Sequence, residues 1–174
     1  MLELIKNKKV NIYTNLNGNN PLIPIATDEL FLRQVLTNDE CILHIHSLEN
    51  SAILGTPDTR VPYFIEALDS FYNNNLIPAV RNIGGLGIIA DTGVISFSII
   101  MKINPSTFSL NAGYNLMTEF IKEIFPEVSS KIQAVEISNS YCPGDFDLSI
   151  DGKKFAGIAQ RKVKEMTLIY IVSN

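Results

Sequence analysis

Residues 141–161 read YCPGDFDLSIDGKKFAGIAQR. Asp151-Gly152 tolerates the positive φ of a type I′ turn, so the segments on either side pair as a two-residue β-hairpin. In simple register Ile150 faces Lys153, Ser149 faces Lys154 and Asp147 faces Ala156. Asp147, Ser149, Lys154, Ala156 and Ile158 then share one face; Leu148, Ile150, Lys153 and Phe155 share the other. A lysine among small and apolar neighbours would be partly desolvated, which favours its neutral form. The plainer alternative is an exposed structural lysine paired with Asp147. Cys142 precedes Pro143, which pushes it out of helical conformations and onto an extended loop. A thiol there is either an accessible nucleophile or a small buried apolar side chain. Held near Lys154, the thiol would pass its proton to the amine, and the cation formed would stabilise the thiolate.

Working outward, the remainder reads as alternating helices and strands. Met166 to Val172 is a final strand whose free side would be a pairing edge. Ile132 to Ser138 is another strand. Asn111 to Phe125 carries a helical stripe of Met117, Phe120, Ile121, Ile124 and Phe125, and Pro126 ends it. In the strand Val94 to Met101, Ile95, Phe97, Ile99 and Met101 face one way and Ser96 and Ser98 the other. Tyr63 to Asn73 has helical spacing after Pro62; CILHIH at 41–46 and SAILG at 51–55 read as strands. Asp28, Leu30, Phe31, Gln34 and Val35 fit a helix with Asp28 in its first turn, and NLNGNNP at 15–21 reads as a turn. The irregular alternation of helix and strand predicts an α/β or α+β fold with a mixed sheet.

The 174 residues suffice for one domain with a real core. With 14 Lys and Arg against 18 Asp and Glu, the net charge of −4 lacks the basic surplus of a nucleic-acid binder. Hydrophobic residues at 46% and charged residues at 18% exclude disorder. No apolar run suits a signal peptide or a membrane span, so a reducing cytoplasmic location with free cysteines is expected.

RNIGGLG at 81–87 is followed by strand-like residues and carries no Lys-Ser/Thr. It is therefore neither a dinucleotide fingerprint nor a P-loop. Its paired glycines let backbone approach a ligand closely, and Arg81 could orient a carbonyl or an anion; a plain turn with a surface arginine is the alternative. His44 and His46 alternate on one strand and share a face, but the sequence shows no third ligand nearby, so no metal is expected. Cys41 reads as core.

RNIGGLGIIADTGVISFSI resembles the arginine- and glycine-rich loop and following strand of the lipoate/octanoate ligases and transferases, which share a fold with biotin protein ligase. DLSIDGKKFAGIAQR is similar to that family's Gly-x-Lys segment and maps its lysine to Lys154. YCPGDFDLSIDGKKFAGIAQR and ILGTPDTRVPYF, the latter at 53–64, are similar to the N-octanoyltransferases that take octanoyl from the glycine cleavage H protein. The likeness covers most of residues 24–172. Where the family usually has two arginines and a serine, this chain reads Arg81-Asn82-Ile83.

The resemblance implies a mixed, largely antiparallel sheet flanked by helices, forming a single catalytic domain over 1–174 that lacks the C-terminal part of longer relatives. It implies Cys142 as nucleophile and acyl-thioester carrier, with Lys154 lowering its pKa and shuttling protons. Arg81, Gly84, Gly85 and Gly157 would bind the octanoyl substrate. Octanoylated glycine cleavage H protein would be the donor, and lipoyl domains of 2-oxoacid dehydrogenases the acceptors, met by Lys153, Arg161, Lys162 and Lys164. Neither ATP nor metal, nucleic acid nor membrane is implied. Two alternatives stay open, an ATP-dependent lipoate ligase and a non-catalytic octanoyl-protein binder.

Overall fold

The computed structural model describes residues 3–34 and 36–173. Its elements run α1 (Glu3–Lys6), β1 (Lys9–Gly18), α2 (Leu22–Arg33), β2 (Glu40–Leu48), β3 (Ser51–Leu54) and α3 (Phe64–Asn73). They continue with β4 (Ile77–Val80), β5 (Ile88–Ala90), β6 (Ile95–Lys102), α4 (Leu110–Ile124), β7 (Ile132–Ala134), β8 (Leu148–Ile150), β9 (Lys153–Val163) and β10 (Met166–Ser173). Seven strands form one sheet in the order β1-β2-β6-β10-β9-β8-β7, and β4-β3-β5 form a second. β1 and β2 are parallel, as are β3 and β4; the other pairings are antiparallel. This is the mixed, largely antiparallel arrangement expected.

Strand alternation divides the core across the large sheet. Phe97, Ile99, Met101, Ile169 and Ile171 pack with Leu116, Met117 and Ile121 of α4. Each such fully buried side chain contributes about 2 kcal/mol. Ser109 caps α4 by accepting from Ala112 N at 3.1 Å. Ile124 and Phe125, expected in the apolar stripe, are exposed, whereas Leu116 is buried. On the opposite face Ile42, Ile100, Leu168 and Tyr170 pack with Phe31 and Leu32 of α2. α3 forms where expected but buries none of its residues fully.

Three expectations are corrected. Residues 15–18 belong to β1, an edge strand too exposed on both faces to show alternation. α2 begins at Leu22, where Asn20 Oδ1 accepts from Leu22 N at 3.1 Å, so Asp28 sits mid-helix and buried. Val35, placed in that helix from the sequence, lies outside the described residues. β10 is no edge, because it pairs with β6 on one side and β9 on the other.

Candidate active site

The hairpin at Asp151-Gly152 forms with φ of 50° and 76°. Ile150 pairs with Lys153 and Ser149 with Lys154, as expected. Beyond them a bulge shifts the register, and Leu148 rather than Asp147 faces Ala156. Leu148 and Ala156 both enter the core under α4. Lys154 is turned to the other face, alongside Gly157. A Cβ on Gly157 would lie 3.8 Å from Lys154 Cε. The extra residue at the bulge thus re-aims Lys154 away from Ala156, the side chain expected to share its face.

Lys154 directs its ammonium at three acceptors. These are Cys142 O at 2.6 Å, Tyr141 O at 3.0 Å and Asp147 Oδ1 at 2.8 Å. The two carbonyls accept hydrogen bonds and Asp147 supplies the opposite charge. The lysine is therefore paired with Asp147, as the plainer alternative had it, yet it is largely buried and tied to the Cys142 segment. Its side chain is 17% exposed and that of Asp147 only 3%. Cys142 is half-buried and holds a left-handed φ of 49°, rather than the extended backbone expected before proline. The ammonium's bond to its carbonyl helps hold that conformation.

Cys142 and Lys154 line one cavity of about 740 Å³, together with Arg81, Gly84, Gly85 and Gly157. All six residues singled out from the sequence thus meet. Gly85 has φ 92°, a conformation suited to glycine. Arg81 is buried, with its guanidinium 5.3 Å from the centre of the Tyr170 ring. Its Nη2 donates to Leu86 O at 3.1 Å, while Nε and Nη1 have no partner among the described residues. The second arginine that the resemblance places in this loop is absent at Asn82. Arg161, from β9, reaches the loop instead and donates to Asn82 O at 3.0 Å and to Glu29. Lys162 is likewise engaged, at Phe108 O. These two cations are committed internally rather than free for an acidic partner.

Two contributors went unread in the sequence. Tyr141 Oη donates to Gly87 O at 2.6 Å, tying the cysteine segment to the glycine loop. A Cβ at Gly55 would meet Gly85 O at 2.0 Å, so the glycine loop packs directly on the backbone there. Both lie in stretches that carry the resemblance, yet neither shows its role in one dimension, because each acts through backbone that is distant in the chain.

The two thiols differ in access. Cys41 is buried in the core under α4, and burial pushes its thiol up to about 11. At pH 8 a maleimide should label Cys142 alone in the native protein, and both cysteines once it is denatured. Peptide mapping reads the sites, and native labelling at Cys41 would overturn this placement.

The lipoyl protein ligase A/B catalytic domain model matches residues 20–174. The chain belongs to that family. Octanoyl-[GcvH]:protein N-octanoyltransferases are among its relatives. That of Lysinibacillus sphaericus is 40% identical over 154 residues, covering 87% of this chain and 55% of the relative. That of Macrococcus caseolyticus is 42% identical over 147 residues, covering 84% and 53%. The chain spans about half the length of the curated relatives it matches. Solved structures of this lipoyl protein ligase fold include lipoate-protein ligase A bound with ATP, at TM-score 0.77 and 20% identity over 96% of this chain and 66% of that one. A bi-partite lipoate protein ligase from Thermoplasma acidophilum matches at TM-score 0.76 and 22% identity, covering 95% and 61%. Among the described residues no helix is long and apolar enough to cross a membrane.

Proposed function

We propose that this chain is the catalytic domain of a cytoplasmic acyltransferase that moves octanoyl groups between proteins through a Cys142 thioester. The donor is octanoylated glycine cleavage H protein, and the acceptors are lysines of lipoyl domains of 2-oxoacid dehydrogenases. The observation that carries the reading is the shared cavity, where an accessible thiol, a buried ammonium and an arginine with spare donors converge. The relatives' name supports the donor, octanoyl-[GcvH], and gives the acceptor only as a protein.

The Cys142 sulfur attacks the carbonyl carbon of the octanoyl amide. A C–S bond forms, the C–N bond breaks, and the donor lysine leaves as an amine after taking up a proton. The acceptor amine then attacks the thioester, a C–N bond forms, the C–S bond breaks, and the proton the amine gives up restores the thiol. Amide is exchanged for amide, so the overall reaction is near balance and needs neither ATP nor metal. Lys154 holds the Cys142 segment and supplies the positive charge that a thiolate nucleophile requires. Arg81 turns its unpaired N–H groups toward the acyl carbonyl oxygen, where negative charge develops. The apolar wall of the cavity, including Ile88, Val94, Ile158 and Val172, takes the octanoyl chain at about 0.8 kcal/mol per buried methylene.

Intact-mass spectrometry after mixing with octanoylated H protein tests the reading. The parent should gain one octanoyl group and pass it to a lipoyl domain without ATP, while Cys142→Ser gains none. Transfer that requires ATP, or that survives in Cys142→Ser, would replace the thioester mechanism.

A further inference from the structure

The α2 face of the large sheet carries a polar cluster that the proposed transfer does not use. His44 and His46 stand at alternate positions of β2, and Asp28 descends on them from the middle of α2. One imidazole nitrogen from each histidine and one carboxylate oxygen all lie within 4.8 Å of one another. The three residues are 6%, 1% and 4% exposed in the order Asp28, His44, His46. Ser98 donates to Asp28 Oδ2 at 2.6 Å, which leaves Oδ1 facing His44 Nδ1 at 2.7 Å. His46 Nδ1 is buried with no partner among the described residues. A buried polar atom left unsatisfied is destabilising, so a ligand that engages it is favoured. A cavity of about 340 Å³, lined by Asp28, His46 and Glu29 among others, gives a route from solvent.

We propose that Asp28, His44 and His46 bind one divalent transition-metal ion of the zinc class, with a cavity water as fourth ligand. Two imidazoles and one carboxylate form a donor set that zinc favours, whereas magnesium and calcium favour oxygen alone. Ligand atoms around tetrahedral zinc stand roughly 3.4 Å apart, as metal–ligand bonds of about 2.0–2.1 Å dictate. Reaching that spacing from within 4.8 Å requires side-chain movement, and where Asp28 Oδ1 and His44 Nδ1 both ligate, the metal replaces the hydrogen bond between them. The Ser98 hydrogen bond fixes the carboxylate in the way that outer partners of metal ligands commonly do. The third ligand was invisible in the sequence because Asp28 belongs to a different element, sixteen residues before His44. A bound ion would pin α2 to the sheet beside Arg81 and Tyr170, which both cavities share.

Chelator-stripped protein carrying Cys142→Ser, which removes the accessible thiol, is titrated with cobalt(II) and then with zinc. We expect one equivalent of cobalt to bind, with d–d absorption and without a sulfur charge-transfer band. Zinc should displace it and raise the melting temperature. His46→Gln and Asp28→Asn should each weaken binding by about 100-fold or more while far-UV circular dichroism stays native. Absence of saturable binding in the stripped parent overturns the proposal. A thiolate charge-transfer band, or binding untouched in both variants, overturns it too. If a variant fails to fold, the parent's cobalt spectrum and stoichiometry decide alone. The titration reads no acyl transfer, so its outcome is separate from that of the proposed function.

Discussion

Lys154→Met should lower octanoyl transfer by roughly 10³-fold or more and also destabilise the protein. The two losses have different origins. Asp147 is 3% exposed at its side chain, and its remaining contact is Gly144 N, which donates to Oδ2 at 3.1 Å. Removing the ammonium leaves this carboxylate buried without a cation. Breaking a buried pair in this way costs about 3 kcal/mol or somewhat more. For a chain of this size that lowers the melting temperature by about 6–12 °C. The catalytic loss comes through Cys142, whose carbonyl the same ammonium holds at 2.6 Å with φ at 49°. Lys154→Met combined with Asp147→Asn removes the stranded charge, so it should recover much of the melting temperature and none of the transfer rate. Calorimetry and acyl-enzyme kinetics on the four proteins of this cycle separate the roles. Transfer by Lys154→Met within tenfold of the parent would remove Lys154 from the catalytic machinery.

What the chain discloses in one dimension follows from where the information is local. The Asp151-Gly152 turn, the alternation in β6, the strand β10 and the helix α4 depend on near neighbours, and all formed, although the α4 stripe buries Leu116 and leaves Ile124 and Phe125 exposed. The bulge after Lys154 has no local signature, because it serves a packing match between Leu148 and Ala156 across the hairpin. It parted the lysine from Ala156 while leaving it at the site with Asp147. β1 escaped notice because its pairing partner β2 lies beyond α2, and its outer edge is solvated. Asp28 shows the same limit, since as part of a helical pattern it carries no chemistry. Only the packing of α2 on the sheet brings it to His44 and Ser98. Arg81, Gly84 and Gly85 were legible as a glycine-rich turn, but their use required a wall. Gly55 of the β3 end supplies it by letting Gly85 O approach without a side chain between them.

Arg81→Met should separate stability from function in the opposite sense to Lys154→Met. Arg81 is 7% exposed, yet two of its nitrogens, Nε and Nη1, have no acceptor among the described residues. What it holds is Leu86 O at 3.1 Å, Gly84 O at 3.5 Å and the face of Tyr170. A buried cation so poorly matched contributes little net stability, because desolvation offsets its bonds, and an apolar replacement of similar length is commonly neutral. The melting temperature of Arg81→Met should therefore stay within about 4 °C of the parent. Transfer should fall by roughly 10²–10³-fold, the usual effect of removing a donor aimed at a developing oxyanion. Octanoate supplies a second readout that involves no chemistry. It places a carboxylate where the acyl carbonyl would sit and should raise the parent's melting temperature in a dose-dependent way, with the shift largely lost in Arg81→Met. If the variant instead melts more than about 10 °C lower and octanoate still stabilises it, the arginine is a strut of the glycine loop. The unpaired donors would then have no part in holding the acyl group.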